Sequence, residues 1–247
     1  MNGSLSARKI SGKTGRSGQV MLNDQPTLYA PIKRLIQALS TEKAPPFWML
    51  LLTRPTVWPI LKELASVATP GLHGQYFRSR RFPEGASPES SGDLGPPPPE
   101  RQSPGRYTAP GSLVFYLSRN PKTAALEAGD DSQKPRVFLQ KYQFDLPSII
   151  WIRLDPDLEA RAPRLNFLML ESEYLPEESH LFPYPYRATQ FLAFLCRLLG
   201  ILAIEYPSVR GRYVDDSEAV NLVILGEAVA TASTMSVGEP SEHSDAA

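Results

Sequence analysis

One cysteine, Cys196, is all that this 247-residue chain carries. No internal disulfide can form, and such usage fits a reducing compartment. Histidine is nearly as scarce. His73, His180 and His243 stand apart from one another and from the cysteine, so no zinc site is expected. Net charge is absent, with 26 basic residues against 26 acidic ones. That balance demands neither nucleic acid nor an anionic membrane as a partner. Long apolar runs are missing too: Phe47 to Leu52 is far shorter than the ~20 residues of a membrane span, and Arg54-Pro55 then interrupts it. Behind Arg8, Lys9, Lys13 and Arg16 there is no apolar stretch of the kind a secretory signal needs. A soluble, cytoplasmic protein is the expectation.

Common catalytic signatures are lacking as well. No Gly-x-Ser-x-Gly elbow occurs, and no cysteine–histidine pair has a nucleophile's setting. Gly12-Lys13-Thr14 resembles the end of a phosphate-binding loop, but the earlier glycine's place is taken by Ala7 and no strand precedes it. Asp155, Asp157 and Glu159 read as a solvated turn, because nothing supplies further ligands at calcium-loop spacing.

What is present is a hydrophobic fraction of 42%, enough for a real core, and 25 unevenly spread prolines. Residues 1–25 read as a disordered basic tail. Across 26–75, Tyr29, Ile32, Leu35, Ile36 and Leu39 form one helical stripe, and Val57, Ile60, Leu61 and Leu64 repeat the spacing after Pro45-Pro46. This section is expected to be a small helical N-terminal extension. Of the 22 residues 83–104, 14 are Pro, Gly or Ser. They should form a mobile insertion whose ordering entropy no burial offsets, so deleting 85–103 should leave a folded domain. From residue 111 the pattern turns compact. Leu113 to Leu117 reads as a strand, and Asn120-Pro121 as a helix cap and first-turn proline. Val137 to Phe144 and Ser148 to Leu154 read as two strands. A helix over about 187–199, closed by Gly200, leads to strands Ile201–Tyr206 and Asn221–Leu225. Its apolar residues Phe191, Phe194, Leu195 and Leu198 read as core. The acidic stretch 227–247 is expected to be disordered. This order of elements predicts an α+β domain over 76–226.

Four segments stand out for chemistry: Gln75–Arg81, Gly105–Gly111 with the strand up to Tyr116, Thr123–Glu127, and Tyr206–Arg210. Taken singly, Glu127 is an ordinary surface carboxylate, Arg106 a surface cation, Tyr116 a core residue and Ser208 a turn residue. Ala124 and Ala125 precede Glu127 on its helix, and small residues there leave room for a ligand beside the carboxylate.

Together, and in this order, the segments resemble the RES-domain family. The resemblance rests on Phe77-Arg78-Ser79-Arg80, Gly105-Arg106-Tyr107-Thr108, Pro110-Gly111 and Tyr116-Leu117. It continues through Thr123-Ala124-Ala125-Leu126-Glu127, Thr189-Gln190-Phe191-Leu192-Ala193 and Tyr206-Pro207-Ser208. Two positions depart from the family pattern: Tyr107 stands for a common tryptophan, and Thr108 for an asparagine.

The resemblance implies an ADP-ribosyltransferase-like fold, a mixed sheet core with flanking helices. It also implies a toxin that acts on NAD⁺ as its substrate, needs no further cofactor, and is neutralised by a cognate antitoxin. Cleaving the nicotinamide–ribose bond builds oxocarbenium character, which a carboxylate stabilises. Glu127, Arg78 and Tyr116 are therefore the candidate catalytic residues. Arg78, Arg106, Tyr107, Tyr116 and Ser208 are the candidates for holding the dinucleotide, since guanidinium forks suit a pyrophosphate and an aromatic face suits nicotinamide. Arg80 is the register alternative to Arg78, and Arg210 a weaker neighbour. Three outcomes follow: NAD⁺ glycohydrolase or phosphorylase action, protein ADP-ribosylation, or a non-catalytic RES-fold binding module. No metal is expected, and self-association is a further expectation.

Overall fold

The computed structural model describes residues 52–102, 105–108, 112–128, 136–155, 157–166, 186–208 and 219–243. The expected basic tail, the first stripe of the helical extension, Pro110-Gly111 and Arg210 lie outside these residues.

Helix α1 (Val57–Val67) turns Val57, Ile60, Leu64 and Val67 inward at helical spacing. Pro59 falls in the first turn, where a missing N–H costs nothing. The helix leads directly into strand β1 (Thr69–Phe82), so the expected domain boundary at 75/76 falls inside a strand. The buried face of α1 joins the same core as the later helices and strands. Glu63 ties it down further: Oε2 accepts from the Arg164 and Leu165 amides, both at 2.9 Å, and Oε1 from Arg164 Nη1 at 2.8 Å.

Next come β2 (Val114–Ser118), α2 (Pro121–Glu127), β3 (Arg136–Arg153), α3 (Leu158–Arg161), α4 (Arg187–Leu198), β4 (Ile201–Pro207) and β5 (Val220–Leu225). The two strands expected between 137 and 154 are one 18-residue strand. Pro147 does not end it. Leu72 pairs Leu146 while Pro70 pairs Ile150, so three residues of β3 stand opposite one of β1, and this bulge takes up the residue that lacks an N–H. Gly71, at φ 79°, supplies the matching bend on β1.

With a last strand β6 (Ser236–Glu242), strand order is β1-β2-β5-β4-β3-β6, and β1 also pairs β3, so the sheet closes on itself. One core lies within the ring, built from Leu72, Tyr76, Phe115, Leu117, Tyr142, Phe144, Ala203 and Leu222. A second lies outside it, where α1 and α4 cover Val114, Ile204, Tyr206, Val223 and Leu225. This is the α+β class with a mixed sheet core and flanking helices.

Two expectations of disorder meet ordered chain. After residue 226 the chain forms α5 (Ala228–Ser233) and β6 (Ser236–Glu242). Helix α5 buries only Ala228, Val229 and Ala232, and β6 is held by its main-chain ladder to β3; neither device shows as an apolar period. In the Pro/Gly/Ser insertion, 3-10 turns at Ser91–Leu94 and Pro99–Arg101 break the coil. Leu94 is fully buried. Gln102 extends β2 sideways, its amide donating to Val114 O and accepting from Val114 N, both at 3.1 Å. Specific tie points, rather than a broad apolar face, offset the ordering entropy.

Candidate active site

Cross-strand partners face the same side of a sheet. Ser118 pairs Asn221 and Tyr206 pairs Asn221, so these three side chains share the outer face of the ring, and Ser208, two residues past Tyr206, follows them. Above this face stands α2. Asn120 caps it, its Oδ1 accepting from Thr123 N at 2.7 Å, and Pro121 opens it. Ser79 Oγ, from β1, donates to Ala124 O. The helix is only seven residues long, and its last residue, Glu127, is exposed at the sheet's rim. There Ser208 Oγ donates to Glu127 Oε1 at 2.5 Å and Asn221 Nδ2 to the same oxygen at 2.7 Å. Among the described residues both donors meet Oε1.

Arg106 rides on a short loop whose polar backbone groups are almost all engaged. Gly105 and Thr108 bridge each other, N to O, at 3.4 and 3.2 Å. Helix α4 grips the loop from one side: Gln190 Nε2 donates to Gly105 O at 2.9 Å and Thr108 O at 3.0 Å, and Thr189 Oγ1 donates to Arg106 O. Strand β2 grips it from the other, where the Tyr116 hydroxyl accepts from Tyr107 N and pairs with Thr108 Oγ1, both at 2.9 Å. Thr108, standing where the family commonly has asparagine, thus holds the loop through its hydroxyl. So fixed, the Arg106 guanidinium lies over the Tyr206 ring, 6.0 Å from its centroid. Burial raises the Tyr206 phenol well above its ordinary pKa; the nearby Tyr116, Tyr107 and Glu127 push the same way and Arg106 opposes them. The Arg106 guanidinium thus lies over Tyr206, on the face that also carries Ser208, the partner of Glu127.

Arg78 comes from the inner face. It lies over Phe115, 5.4 Å from the ring centroid, and Nη1 donates to Tyr116 O at 2.8 Å. Its Nε is buried with no partner among the described residues. Desolvation by burial lowers its pKa to about 10, with Arg80 adding to that and Tyr142 and Tyr116 opposing. Arg80 is exposed and donates to Asp93 O at 2.6 Å, so of the two register alternatives only Arg78 touches the strand that carries Tyr116.

The structure therefore joins Glu127 and Ser208 directly, lays Arg106 over Tyr206 on the same face, and brings Arg78 to the far side of β2. Two of the expected ligand contacts have other partners in the structure. Tyr107 is 2% exposed and packs against Tyr206 at 4.8 Å between ring centroids. Tyr116 commits its hydroxyl to the loop.

Sequence reasoning missed Asn221, Ser118 and the working role of Thr189 and Gln190. An asparagine opening the apolar run Asn221–Leu225 is the signal that was available, since strands are depleted in asparagine. It also missed Glu205, fully buried on the opposite face of β4. Glu205 Oε2 accepts from Arg153 Nε at 2.5 Å, and Oε1 accepts from Arg119 Nε and from the Tyr76 hydroxyl, the latter at 3.2 Å. No group of three His, Cys, Asp or Glu side chains able to hold a metal occurs among the described residues, and no described helix is long and apolar enough to cross a membrane.

Comparison with known proteins adds a family. The profile described as "RES domain" matches residues 70–244. Among solved structures, the chain is similar to one chain in the crystal structure of the M. tuberculosis MbcT–MbcA toxin–antitoxin complex. The TM-score is 0.46 and the identity 11%, over 75% of this chain and 92% of that one. No curated protein matches the chain.

Proposed function

The chain belongs to the RES-domain family, and from that premise we propose that it is a toxin-type enzyme that breaks the nicotinamide–ribose bond of NAD⁺. The observation that carries this reading is the held carboxylate: Glu127 is gripped at Oε1 by Ser208 and Asn221, on the face where the Arg106 guanidinium lies over Tyr206. With Oε1 occupied, Oε2 is the oxygen that turns to the ribose. It accepts a ribose hydroxyl and places negative charge beside the anomeric carbon, where positive charge grows as the bond to nicotinamide lengthens. The bonding pair leaves with the nicotinamide nitrogen, which becomes neutral. An oxygen of water or phosphate then closes on the anomeric carbon and releases its proton.

The cations divide the rest of the work. Arg106 faces the pyrophosphate from a loop clamped on both sides. Arg78 is a half-buried guanidinium with no carboxylate partner among the described residues, and its charge favours an anion across β2. Tyr116 acts by holding the Arg106 loop. NAD⁺ is the substrate, and no further cofactor enters the chemistry. The family resemblance also leads us to propose a cognate antitoxin protein as partner, and the cytoplasm, where NAD⁺ is available, as the site of action.

The test is direct. Purified protein is incubated with NAD⁺ while nicotinamide and the ADP-ribose product are followed, with and without phosphate. Nicotinamide release without any protein acceptor, abolished in Glu127→Gln at unchanged melting temperature, is the expected result. ADP-ribose found only on protein would move the reading to a transferase. Absence of nicotinamide release by the parent protein, or full release by the variant, overturns it.

A further inference from the structure

The geometry points to Asn221 as a positioning residue for Glu127, with Ser118 as the group that turns its amide the right way round; this rests on the reading of Glu127 just given. The argument begins with the amide's two ends. An asparagine offers a carbonyl oxygen and an NH₂ that are nearly the same shape but opposite in polarity. Only the NH₂ end can meet a carboxylate favourably. What decides the end is the neighbour on the other side. Ser118 Oγ lies 2.6 Å from Asn221 Oδ1, and as Oδ1 can only accept, the serine hydroxyl must donate. That bond fixes the carbonyl toward β2 and leaves Nδ2 on Glu127 Oε1 at 2.7 Å. A directed chain results, from the Ser118 hydroxyl through the Asn221 amide to the Glu127 carboxylate.

Backbone pairing sets this chain up. Ser118 and Asn221 are direct cross-strand partners in β2 and β5, and Asn221 faces Tyr206 on β4. Both polar side chains are nearly fully enclosed, Ser118 at 3% and Asn221 at 5% exposure. Buried side chains in a closed sheet have little freedom to choose another arrangement. Glu127 is the opposite case: an exposed residue at the end of a short helix, with three side-chain torsions of its own. Left with Ser208 alone, its carboxylate pivots about one bond. A second donor on the same oxygen removes that pivot and delivers Oε2 to one place. Asn221 need not touch the substrate to do this.

The experiment uses the full chain and five variants: Asn221→Ala, Asn221→Asp, Ser118→Ala, the double variant Ser118→Ala/Asn221→Ala and, for the resonances, Glu127→Ala. Turnover of NAD⁺ is measured as separate kcat and KM, beside thermal melting and the NMR resonances of the Asn221 side-chain amide. In Asn221→Ala, kcat falls about ten- to a hundredfold, the scale of one hydrogen bond to a charged group, while KM stays within about twofold. Ser118→Ala lowers kcat less. The double variant matches Asn221→Ala, because the serine acts only through the amide. Asn221→Asp, nearly the same shape but with a carboxylate for the amide, loses more than the alanine variant. A kcat in Asn221→Ala equal to the parent's, or losses in the double variant that multiply, overturns the inference. The amide resonances test it without turnover: they shift in Glu127→Ala and in Ser118→Ala if the chain exists, and resonances unmoved by both overturn it. Lack of turnover by the parent overturns the catalytic reading instead, and the amide resonances still decide for or against the chain.

Discussion

Gln190 is where packing and chemistry are most cleanly separable. Its Nε2 donates to Gly105 O and Thr108 O at 2.9 and 3.0 Å, while Oε1 accepts from Arg187 Nη1 at a long 3.4 Å, which sets the amide's orientation. The perturbation is Gln190→Met, close in volume and a good helix former. Two strong bonds vanish. The two carbonyls are not orphaned, because each still accepts from the other residue's backbone N–H. The penalty is therefore the net worth of the bonds, about 1 kcal/mol each, rather than the cost of stranded polar groups. The long Arg187 contact adds little. About 2 kcal/mol in a chain of this size lowers the melting temperature by about 4–8 °C. The functional effect has its own sign. Thr189 still holds Arg106 O and Tyr116 still holds Tyr107 N, so the loop loosens rather than melts. On the proposed function, KM for NAD⁺ should rise several-fold while kcat changes less, since the loosened group is the cation proposed to hold the pyrophosphate and not the carboxylate. Differential scanning calorimetry and steady-state nicotinamide release check both numbers. A melting temperature within about 1 °C of the parent, with KM unchanged, would refute the claim that α4 clamps this loop.

Other outcomes follow from the rest of the fold. Glu205→Ala leaves two guanidiniums facing an emptied buried position; about 3 kcal/mol is expected, the low end for a broken buried pair because Arg119 and Arg153 reach solvent. Arg153→Gln should cost clearly less, and equal losses in denaturant titration would contradict this account. Leu94→Ala, in the insertion, should cost about 2–5 kcal/mol, as for a filled core site, and deletion of 85–103 should lower thermal stability rather than leave it untouched. Cys196 is fully buried and its thiol is pushed up by desolvation, so a thiol reagent should label it only as the protein unfolds. Burial raises Tyr142 to about 12, and Tyr76 and Tyr206 shift the same way. Groups with raised folded pKa values contribute stability below the unfolded value of 10.0 and lose it as pH rises through the folded one. Arg78, lowered to about 10, acts oppositely but is outnumbered. Stability should therefore fall from about pH 10 upward, in step with phenolate absorbance.

Local chemistry made much of this protein legible in its residues. Asn120-Pro121 marks a helix start whatever surrounds it, because the cap and the first-turn proline act within one turn. Gly200 marks a helix end for the same reason. The ordered series of short motifs names the family without reference to geometry. Where order comes from distant partners, the sequence is silent. Nothing in Leu94 or Gln102 announces that one fills a core and the other pairs with β2, so a Pro/Gly/Ser stretch reads as coil. Nothing in Ser236–Glu242 shows an edge strand held by main-chain bonds. The site divides along the same line. Glu127, Arg106 and Ser208 are readable as motif positions. That Asn221 and Ser118 converge on Glu127, and that Tyr107 is sealed behind Tyr206, depends on cross-strand register between segments roughly a hundred residues apart. Residue type determines what a side chain can donate or accept; only the closed sheet decides which groups meet.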